Sequence, residues 1–476
     1  MSESLPVVIV GAGPCGLVVG LALKQYGVPF VIIERASRSK ICSNAGSGFE
    51  LAPCAVDILM NRLGVDIYKF MNTYFGMKML SVEGKMIRAV EITDDYKGGS
   101  VNRAEMQNAL LDILFPTPED EEGILFCGSG LATYREEIEE GASAGKVVAK
   151  LTSGLEITGC VLLACDGIHS QTRAILHGGG EKDPQHFCKA TVYWGKTAAP
   201  RGSDLEVAFR KTQLLKGGNS GNMPIMGIPT PRAPASFFII ASQGGETLNW
   251  AFTLYTKKQR FSKNNDGTDL TRRGGGVLTE DEKKKLFDFS SHGRKSESVV
   301  KGVKNYPLLE MLMAATPAED ITEAGLFDRE NLDLPFTSES KLVALLGDAA
   351  HPQTPYLGQG VNMAIVDAYM YATNIAVALK SKTKSLKEAI AQCDTDMRRK
   401  EAKKTVKLAR LYCTLAISQN IFIGAFTRLF VKFASQSELM DQLAMTDSSN
   451  RHYMAELDEK LCSRKEQDAM RAKASC

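Results

Sequence analysis

A chain of 476 residues is about three times the usual domain length, enough for two or three packed units with a substantial core. Its 44% hydrophobic and 24% charged content is that of an ordinary globular protein, and a formal charge of +2 leaves no broad basic footprint, so nucleic acid is not an expected partner. Eleven cysteines, an odd number without a CxxC pair, argue for reduced thiols and a cytoplasmic setting rather than a disulfide framework, and no metal-ligand set is read in the chain.

Leu5 to Val10 reads as a strand that runs straight into a glycine turn, so no signal peptide is expected ahead of it. Gly11-Ala12-Gly13-Pro14-Cys15-Gly16 opens a helical pattern from Leu17 to Tyr26. In such a turn the first glycine permits the bend, the second admits a pyrophosphate to the helix N-terminus, and the third allows close helix-strand packing. A second strand, Phe30 to Ile33, ends at Glu34, 18 residues beyond Gly16 and close to the offset at which a carboxylate takes the ribose hydroxyls of an adenine dinucleotide. After Ser47-Gly48-Phe49-Glu50 comes an amphipathic helix from about Cys54 to Leu63, closed by Gly64. Residues from Tyr74 to Ile92 alternate as a hairpin around Glu83-Gly84-Lys85.

Asn102 then starts a helix with Met106, Leu110, Leu111 and Leu114 on its apolar face. Arg103 lies in its first turn, against the helix dipole, which fits either an anionic or ring partner or a solvated surface arginine. Pro116 to Ala144 is acidic and reads as a solvated loop without chemistry. From Lys146 two strand patterns lead to the buried run Val161 to Cys165, which ends at Asp166-Gly167 and exposes polar residues up to Arg173.

Segments around Lys189 to Lys196, Leu205 to Gln213, Ser236 to Ser242 and Leu248 to Tyr255 are read as strands of an antiparallel sheet. The aromatics among them, Trp194, Phe209, Phe238, Trp250, Phe252 and Tyr255, are more often core than ligand contacts in such a pattern. Lys257 to Arg294, with Arg272-Arg273-Gly274-Gly275-Gly276, is read as a mobile, solvated insertion. The apolar run Leu342 to Leu346 stops at Gly347-Asp348, and after His351, Pro355 and Gly358-Gln359-Gly360 a long helix opens from Asn362. There Asp348 is suited to a hydroxylated linker and the glycines to the edge of a flat cofactor, while His351 reads as structural. Leu411 to Phe433 is apolar but holds Ser418, Gln419, Asn420 and Arg428, so helices packed against the main body are favoured over membrane contact.

Three strand-to-glycine sites on one chain, Gly11 to Gly16 with Glu34, Asp166-Gly167 to Arg173, and Gly347-Asp348 with Gly358-Gln359-Gly360, resemble those of the single-component FAD-dependent aromatic hydroxylases, relatives of p-hydroxybenzoate hydroxylase and of the tetracycline-inactivating monooxygenases. The resemblance covers about the first 380 residues. It implies an α/β fold: a Rossmann-like FAD-binding domain (1–73, 93–180, 325–380), an interleaved antiparallel-sheet substrate domain (74–92, 181–324) and a C-terminal helical region (381–476). It further implies that Gly11, Gly13 and Gly16 hold the pyrophosphate of bound FAD, Glu34 the ribose, and that Gly48 and Arg103 line the cofactor channel. Asp166 would serve FAD or NAD(P)H, Asp348 the ribityl chain or pyrophosphate, Gly360, Val361 and Asn362 the isoalloxazine through their main chain, and Pro355 would flank its reactive edge.

The activity implied is hydroxylation of an electron-rich aromatic, polyketide or alkaloid-like small molecule with O2 and transient NAD(P)H, through a C4a-hydroperoxyflavin, by a monomer or homodimer. An isoprenoid double-bond reductase and a non-enzymatic FAD-fold scaffold are the alternatives. A scaffold would be expected to lose the third motif, which this chain keeps, and the WxWxIP segment of a flavin halogenase is not found.

Overall fold

The computed structural model describes residues 5–42, 48–82, 84–91, 97–138, 145–179, 182–213, 223–229, 235–241, 246–257, 276–290, 298–300, 306–381 and 384–433. Its organising element is a five-stranded parallel sheet in the order Val343–Leu345, Val161–Ala164, Val7–Val10, Phe30–Glu34, Leu125–Cys127. The strands Val7–Val10, Val161–Ala164 and Val343–Leu345 are unbroken, fully buried runs of Val, Ile, Leu and Ala, as strands of a parallel sheet covered on each side must be. Parallel strands end at one edge. Val10 pairs with Ala164 and Ala164 with Leu345, so the glycine turns that follow these strands emerge side by side.

One face of this sheet is covered by the helices Pro14–Gln25, Arg103–Leu114 and Gly360–Ser381, whose apolar side chains share one core with Val7, Ile9, Ile32 and Leu163. The long helix Gly360–Ser381 has buried residues around its whole circumference from Met363 to Ala378, so it is an enclosed core helix. The acidic stretch after Pro116 differs from expectation. It supplies the edge strand Leu125–Cys127 and the strand Leu131–Glu137, which joins Lys146–Leu151 and Glu156–Gly159 in an antiparallel sheet. A three-residue, half-buried edge strand carries no apolar run long enough to see among charged neighbours.

The second large sheet has eight strands, in the order 276–277, 321–329, 185–198, 247–255, 235–241, 225–228, 76–81, 86–91. It includes the expected hairpin Gly76–Ser81 with Met86–Glu91, and is antiparallel except where Ile225–Ile228 runs parallel to Gly76–Ser81. Trp250 and Phe252 are core residues, the Trp250 Nε1–H donating to Thr197 Oγ1 (3.1 Å) and Thr316 Oγ1 (3.0 Å). Leu205 to Gln213, expected to be a strand, is the helix Asp204–Gln213, because Leu205, Ala208 and Phe209 recur at a spacing of three and four and seat one face on the core below. Part of the stretch read as a loop, Lys257 to Arg294, is likewise structured. Gly276–Val277 is an edge strand and Glu280–Leu286 a helix started by the Thr279–Glu282 capping box; Arg272, Arg273, Gly274 and Gly275 lie outside the described residues.

The C-terminal helices are Leu386–Cys393, Asp396–Ala416 and Ile421–Phe433. The first two pack as expected, Asp396–Ala416 burying Ala402 and Val406 in the core beneath the parallel sheet. The third seats only part of its surface. No single helix is long and apolar enough to cross a membrane among the described residues, and the nine described cysteines are free thiols.

The C-terminal packing is pinned by one buried carboxylate. Asp367 on the long helix accepts from Arg398 Nε (3.0 Å), from His351 Nε2 (2.7 Å) and from the Gly347 N–H (2.9 Å), and all of these groups are buried. Burial alone would raise the Asp367 carboxyl, but Arg398, His351 and the amide together hold it well below the usual carboxylate range. Its stabilisation is therefore complete above the unfolded-state carboxyl value of about 3.9 and is lost as pH falls from there through the depressed folded value. Asp367→Asn should cost about 3–5 kcal/mol by stranding the Arg398 charge, measured by denaturant unfolding near neutral pH, and should flatten the acid limb of the stability profile. An unchanged midpoint would remove Asp367 from this role.

Candidate functional site

The first glycine turn is closed so tightly that side chains have no room. Gly11 has φ +105°, and a Cβ there would sit 2.4 Å from the carbonyl oxygen of Cys165 in the neighbouring turn, while one at Gly16 would sit 1.9 Å from the Gly11 carbonyl. Gly13 is different: a Cβ would meet nothing within 4 Å. It is the N-cap of the helix Pro14–Gln25, no side chain caps that helix, and Pro14 occupies its first turn. The result is an uncapped helix N-terminus facing open space, the arrangement that receives a phosphate.

Glu34, at the end of the adjacent strand, accepts the Ala12 N–H at Oε2 (2.8 Å) and the Ala36 N–H at Oε1 (2.7 Å). Each oxygen is held by one backbone donor and keeps acceptor capacity for hydroxyls. Arg103 lies half-buried in the first turn of its helix, whose start is capped by Asn102 accepting the Ala104 N–H (2.9 Å). Burial lowers its guanidinium, and Glu34 pulls the other way. An arginine at a positive helix end is thus compensated by a carboxylate from another strand. Gln107, one turn on, donates to the Ala12 carbonyl (2.8 Å) and ties this helix to the glycine turn.

At the second turn the Asp166 carboxylate is engaged by its own loop. Oδ1 accepts from Ser170 Oγ (2.6 Å), and Oδ2 from the Thr172 N–H and Oγ1 (both 3.0 Å), which starts the helix Gln171–Leu176. The more consequential residue is Arg173, whose Nη1 donates to the carbonyls of Asp348 (3.2 Å) and Ala349 (2.9 Å). Arg329, buried beside it, donates from Nη1 to the Ala350 carbonyl (2.7 Å) and from Nε to Asp183 (2.9 Å). Arg173 Nε lies 3.6 Å from the same Asp183. Two buried guanidiniums sharing one buried carboxylate therefore grip three consecutive carbonyls of the third turn. Arg329 and Asp183 carry no motif signal, which is why sequence reading passed over them.

At the third turn Asp348 is exposed while Gly347, Ala349 and Ala350 are buried, and desolvation by the packed chain around it pushes its carboxyl up against the pull of His351 and Arg173. A Cβ on Gly360, at the start of the long helix, would stand 3.8 Å from Asp348 Oδ1, so these two expected site residues lie together. Val361 is half-buried beside them. Asn362 is committed to bracing: its Oδ1 accepts the Ala52 N–H (2.8 Å), and its Nδ2 donates to the carbonyls of Gly358 (2.7 Å) and Glu50 (3.1 Å). Pro355 is exposed and starts the short turn Pro355–Leu357, whose Tyr356 hydroxyl meets Ser236 Oγ (2.8 Å) on the eight-stranded sheet.

One acid was not singled out in the sequence. Glu50 sits on the short strand Gly48–Leu51; its Oε1 accepts from the Tyr74 hydroxyl (3.0 Å), and a Cβ on Gly358, which has φ +62°, would come 2.6 Å from its Oε2. Desolvation raises the Glu50 carboxyl, partly offset by the Tyr74 hydrogen bond. Gly48, on the same strand, packs against the Val101 carbonyl and the Asn249 side chain of the eight-stranded sheet. The meeting of Glu50, Tyr74 and Gly358 joins three distant segments and leaves no local pattern in the sequence.

A second polar cluster, His186 Nδ1, Cys188 Sγ and Asp328, has metal-like proximity, with these atoms within 4.8 Å of one another. The donor set does not fit a cation, because Arg410 occupies both Asp328 oxygens (2.7 Å each) and His186 Nδ1 lies at 2.9 Å from one of them.

The uncapped helix end, the carboxylate beside it and the exposed Asp348 carboxyl near Gly360 are the donor and acceptor types that fit a dinucleotide with a polyhydroxyl linker. A model of the FAD binding domain matches residues 4–64 and 336–407, the segments that carry the first and third turns. The chain is 25% identical over 394 residues to the 3-amino-4-hydroxybenzoate 2-monooxygenase PtnB3 of Streptomyces platensis, covering 78% of this chain and 80% of that protein. It is 24% identical over 376 residues to 3-hydroxybenzoate 6-hydroxylase 1 of Aquipseudomonas alcaligenes, covering 77% and 79%. Its fold matches that of Klebsiella pneumoniae HpxO complexed with FAD and uric acid, with a TM-score of 0.69 at 18% identity over 93% of this chain and 96% of the other. Residues 4–64 and 336–407 match the FAD binding domain, the chain takes FAD as its cofactor, and it is an FAD-dependent monooxygenase.

Proposed function

We propose that this enzyme uses NAD(P)H and O2 to hydroxylate an electron-rich aromatic, polyketide or alkaloid-like small molecule that carries an ionisable hydroxyl. The observation behind this reading is the Glu50–Tyr74 pair beside Gly358: a desolvated acid with a hydrogen-bonded phenol, at the loop that opens the long helix. Bound FAD supplies the redox chemistry, taking electrons from reduced nicotinamide and activating dioxygen. The remaining work falls to the chain.

On this reading Gly11, Gly13 and Gly16 leave backbone amides for the pyrophosphate, Glu34 takes the ribose hydroxyls, and Arg103 lines the channel beside it. Asp348 accepts from the ribityl chain or pyrophosphate, and Gly360, Val361 and Asn362 offer main chain to the ring system. Arg173, Arg329 and Asp183 hold the Asp348-Ala349-Ala350 carbonyls still, so that binding costs little reordering. The eight-stranded sheet, tied to the site through Tyr356–Ser236, is the wall on which substrate rests and from which water is excluded. Glu50 takes the hydroxyl proton as the ring becomes electron-rich, with Tyr74 orienting Oε1 and steadying its charge. Nine free thiols among the described residues support work in a reducing, cytoplasmic setting.

The test is oxygen-18 incorporation from labelled O2 by the FAD-loaded enzyme with NADPH or NADH and a panel of phenols, polyketides and alkaloids. A singly labelled hydroxylated product is expected. Substrate reduction at a double bond without oxygen uptake would replace the hydroxylase reading with a reductase.

Two variants probe the assignments. Gly13→Val places its side chain in open space at an ordinary backbone angle, so the melting temperature of the cofactor-free protein should stay within the range of a neutral surface change, while FAD affinity drops at least about tenfold, or ~1.4 kcal/mol. Retained FAD would remove the pyrophosphate from that helix end. Glu50→Gln should lower kcat about a hundredfold while leaving FAD content intact. Because desolvation raises the Glu50 carboxyl, wild-type activity should rise with pH along a limb lying above the ordinary carboxylate range, and that limb should vanish in the variant. An unaltered pH profile would take Glu50 out of the chemistry.

A further inference from the structure

The helix Ile421–Phe433 is amphipathic with its polarity reversed. Asn420 caps its start, Oδ1 accepting the Phe422 N–H at 2.9 Å, and the helix turns by 111° from the helical run before it. Its inner surface is small: Gly424 and Val431 are buried, and Val431 joins Met77, Met79, Val90 and Ile228 on the edge of the eight-stranded sheet. The outer surface carries Phe422 (85% exposed), Phe426 (65%), Leu429 (56%) and Phe433 (71%), one stripe at i, i+4, i+7 and i+11. A helix that merely faced water would turn charges outward along that line.

Charge identifies what lies against this ridge. The helix has no acidic residue, and its two charged side chains are Arg428 and Lys432, the latter exposed with its Nζ 5.3 Å from the Phe433 ring centroid. The solvent side of the preceding helix presents Lys400, Lys404 and Lys407 and then exposed Leu411, leading to the bend. Exposed phenylalanines flanked by lysines suit a surface that is apolar inside and anionic at its boundary. At 13 residues the helix is roughly 20 Å long, too short for a hydrocarbon core of about 30 Å but suited to lying in its plane. Residues 434–476, with eight acids, six bases, four Leu, four Met and no Phe, Trp, Ile or Val, are the competing occupant that truncation tests. A second copy pairing through this same helix would bring no acid to Arg428 or Lys432.

We propose that Ile421–Phe433 docks the enzyme on an anionic phospholipid surface, with Phe422, Phe426, Leu429 and Phe433 in the acyl boundary and Lys432 at the headgroups.

The experiment is sedimentation of the full-length, FAD-loaded protein with phosphatidylcholine vesicles with and without phosphatidylserine, alongside its molar mass by light scattering. Cosedimentation is expected with the phosphatidylserine vesicles, weakening as salt is raised. Phe422→Ser combined with Phe426→Ser should lower the partition coefficient at least about tenfold with FAD content and melting temperature unchanged, and Arg428→Glu with Lys432→Glu should remove the preference for phosphatidylserine. The proposal falls if the wild-type protein stays in the supernatant with both vesicles. It also falls if the phenylalanine variant changes only the molar mass, which assigns the ridge to a second copy, or if vesicles are bound only after truncation behind Phe433, which assigns it to the tail.

Discussion

Three neighbouring parallel strands that end at one level are the constraint on which this molecule depends. Val10, Ala164 and Leu345 are in register, so the chain must turn three times within a narrow strip, and only a residue without a Cβ fits where Gly11 passes the Cys165 carbonyl. The crowding has a use. It fixes the uncapped helix N-terminus after Gly13, the Glu34 carboxylate and the Asp348 turn through one strand register, and backbone packed this closely has little freedom left to lose.

Rigidity at the site is bought with buried charge. Arg173, Asp183 and Arg329 act on carbonyls of the Asp348-Ala349-Ala350 turn, and Asp367 with Arg398 and His351 acts on its first amide at Gly347. Buried ion pairs contribute little net stability relative to well-packed hydrophobic side chains, but losing one partner leaves a costly charge behind. Their value here is geometric: each anchors a loop that has no regular hydrogen-bonding ladder of its own. The same arrangement explains why the enclosed helix Gly360–Ser381 carries Asp367 in a surround of apolar residues.

The two ends of the site are joined through different physics. At the first glycine turn the groups are backbone amides and one acid, held close by the strand register. At the other end Glu50, Tyr74 and Gly358 come from a short strand, the residues after another, and a left-handed turn, and are set by Asn362, which bridges the carbonyls of Glu50 and Gly358. The eight-stranded sheet reaches this end through Tyr356, which meets Ser236, and through Asn249, which lies against Gly48.

What was legible in the sequence was whatever a local pattern encodes. Strand runs ending in Gly-x-Gly or Gly-Asp, the spacing from Gly16 to Glu34, the hairpin of residues 76–91 and the helix starting at Asn102 are readable because turn chemistry and periodicity act over a few residues. Patterns of short reach also misled: Leu205 to Gln213 alternates well enough to pass for a strand, and Leu125–Cys127 is too short to register. Only the tertiary structure decided that Arg329 and Asp183 hold the third turn, that Glu50 is desolvated against Gly358, and that the apolar stripe of Ile421–Phe433 faces outward. These properties depend on which surfaces meet, and residues hundreds of positions apart leave no trace in sequence of the neighbours that burial will give them.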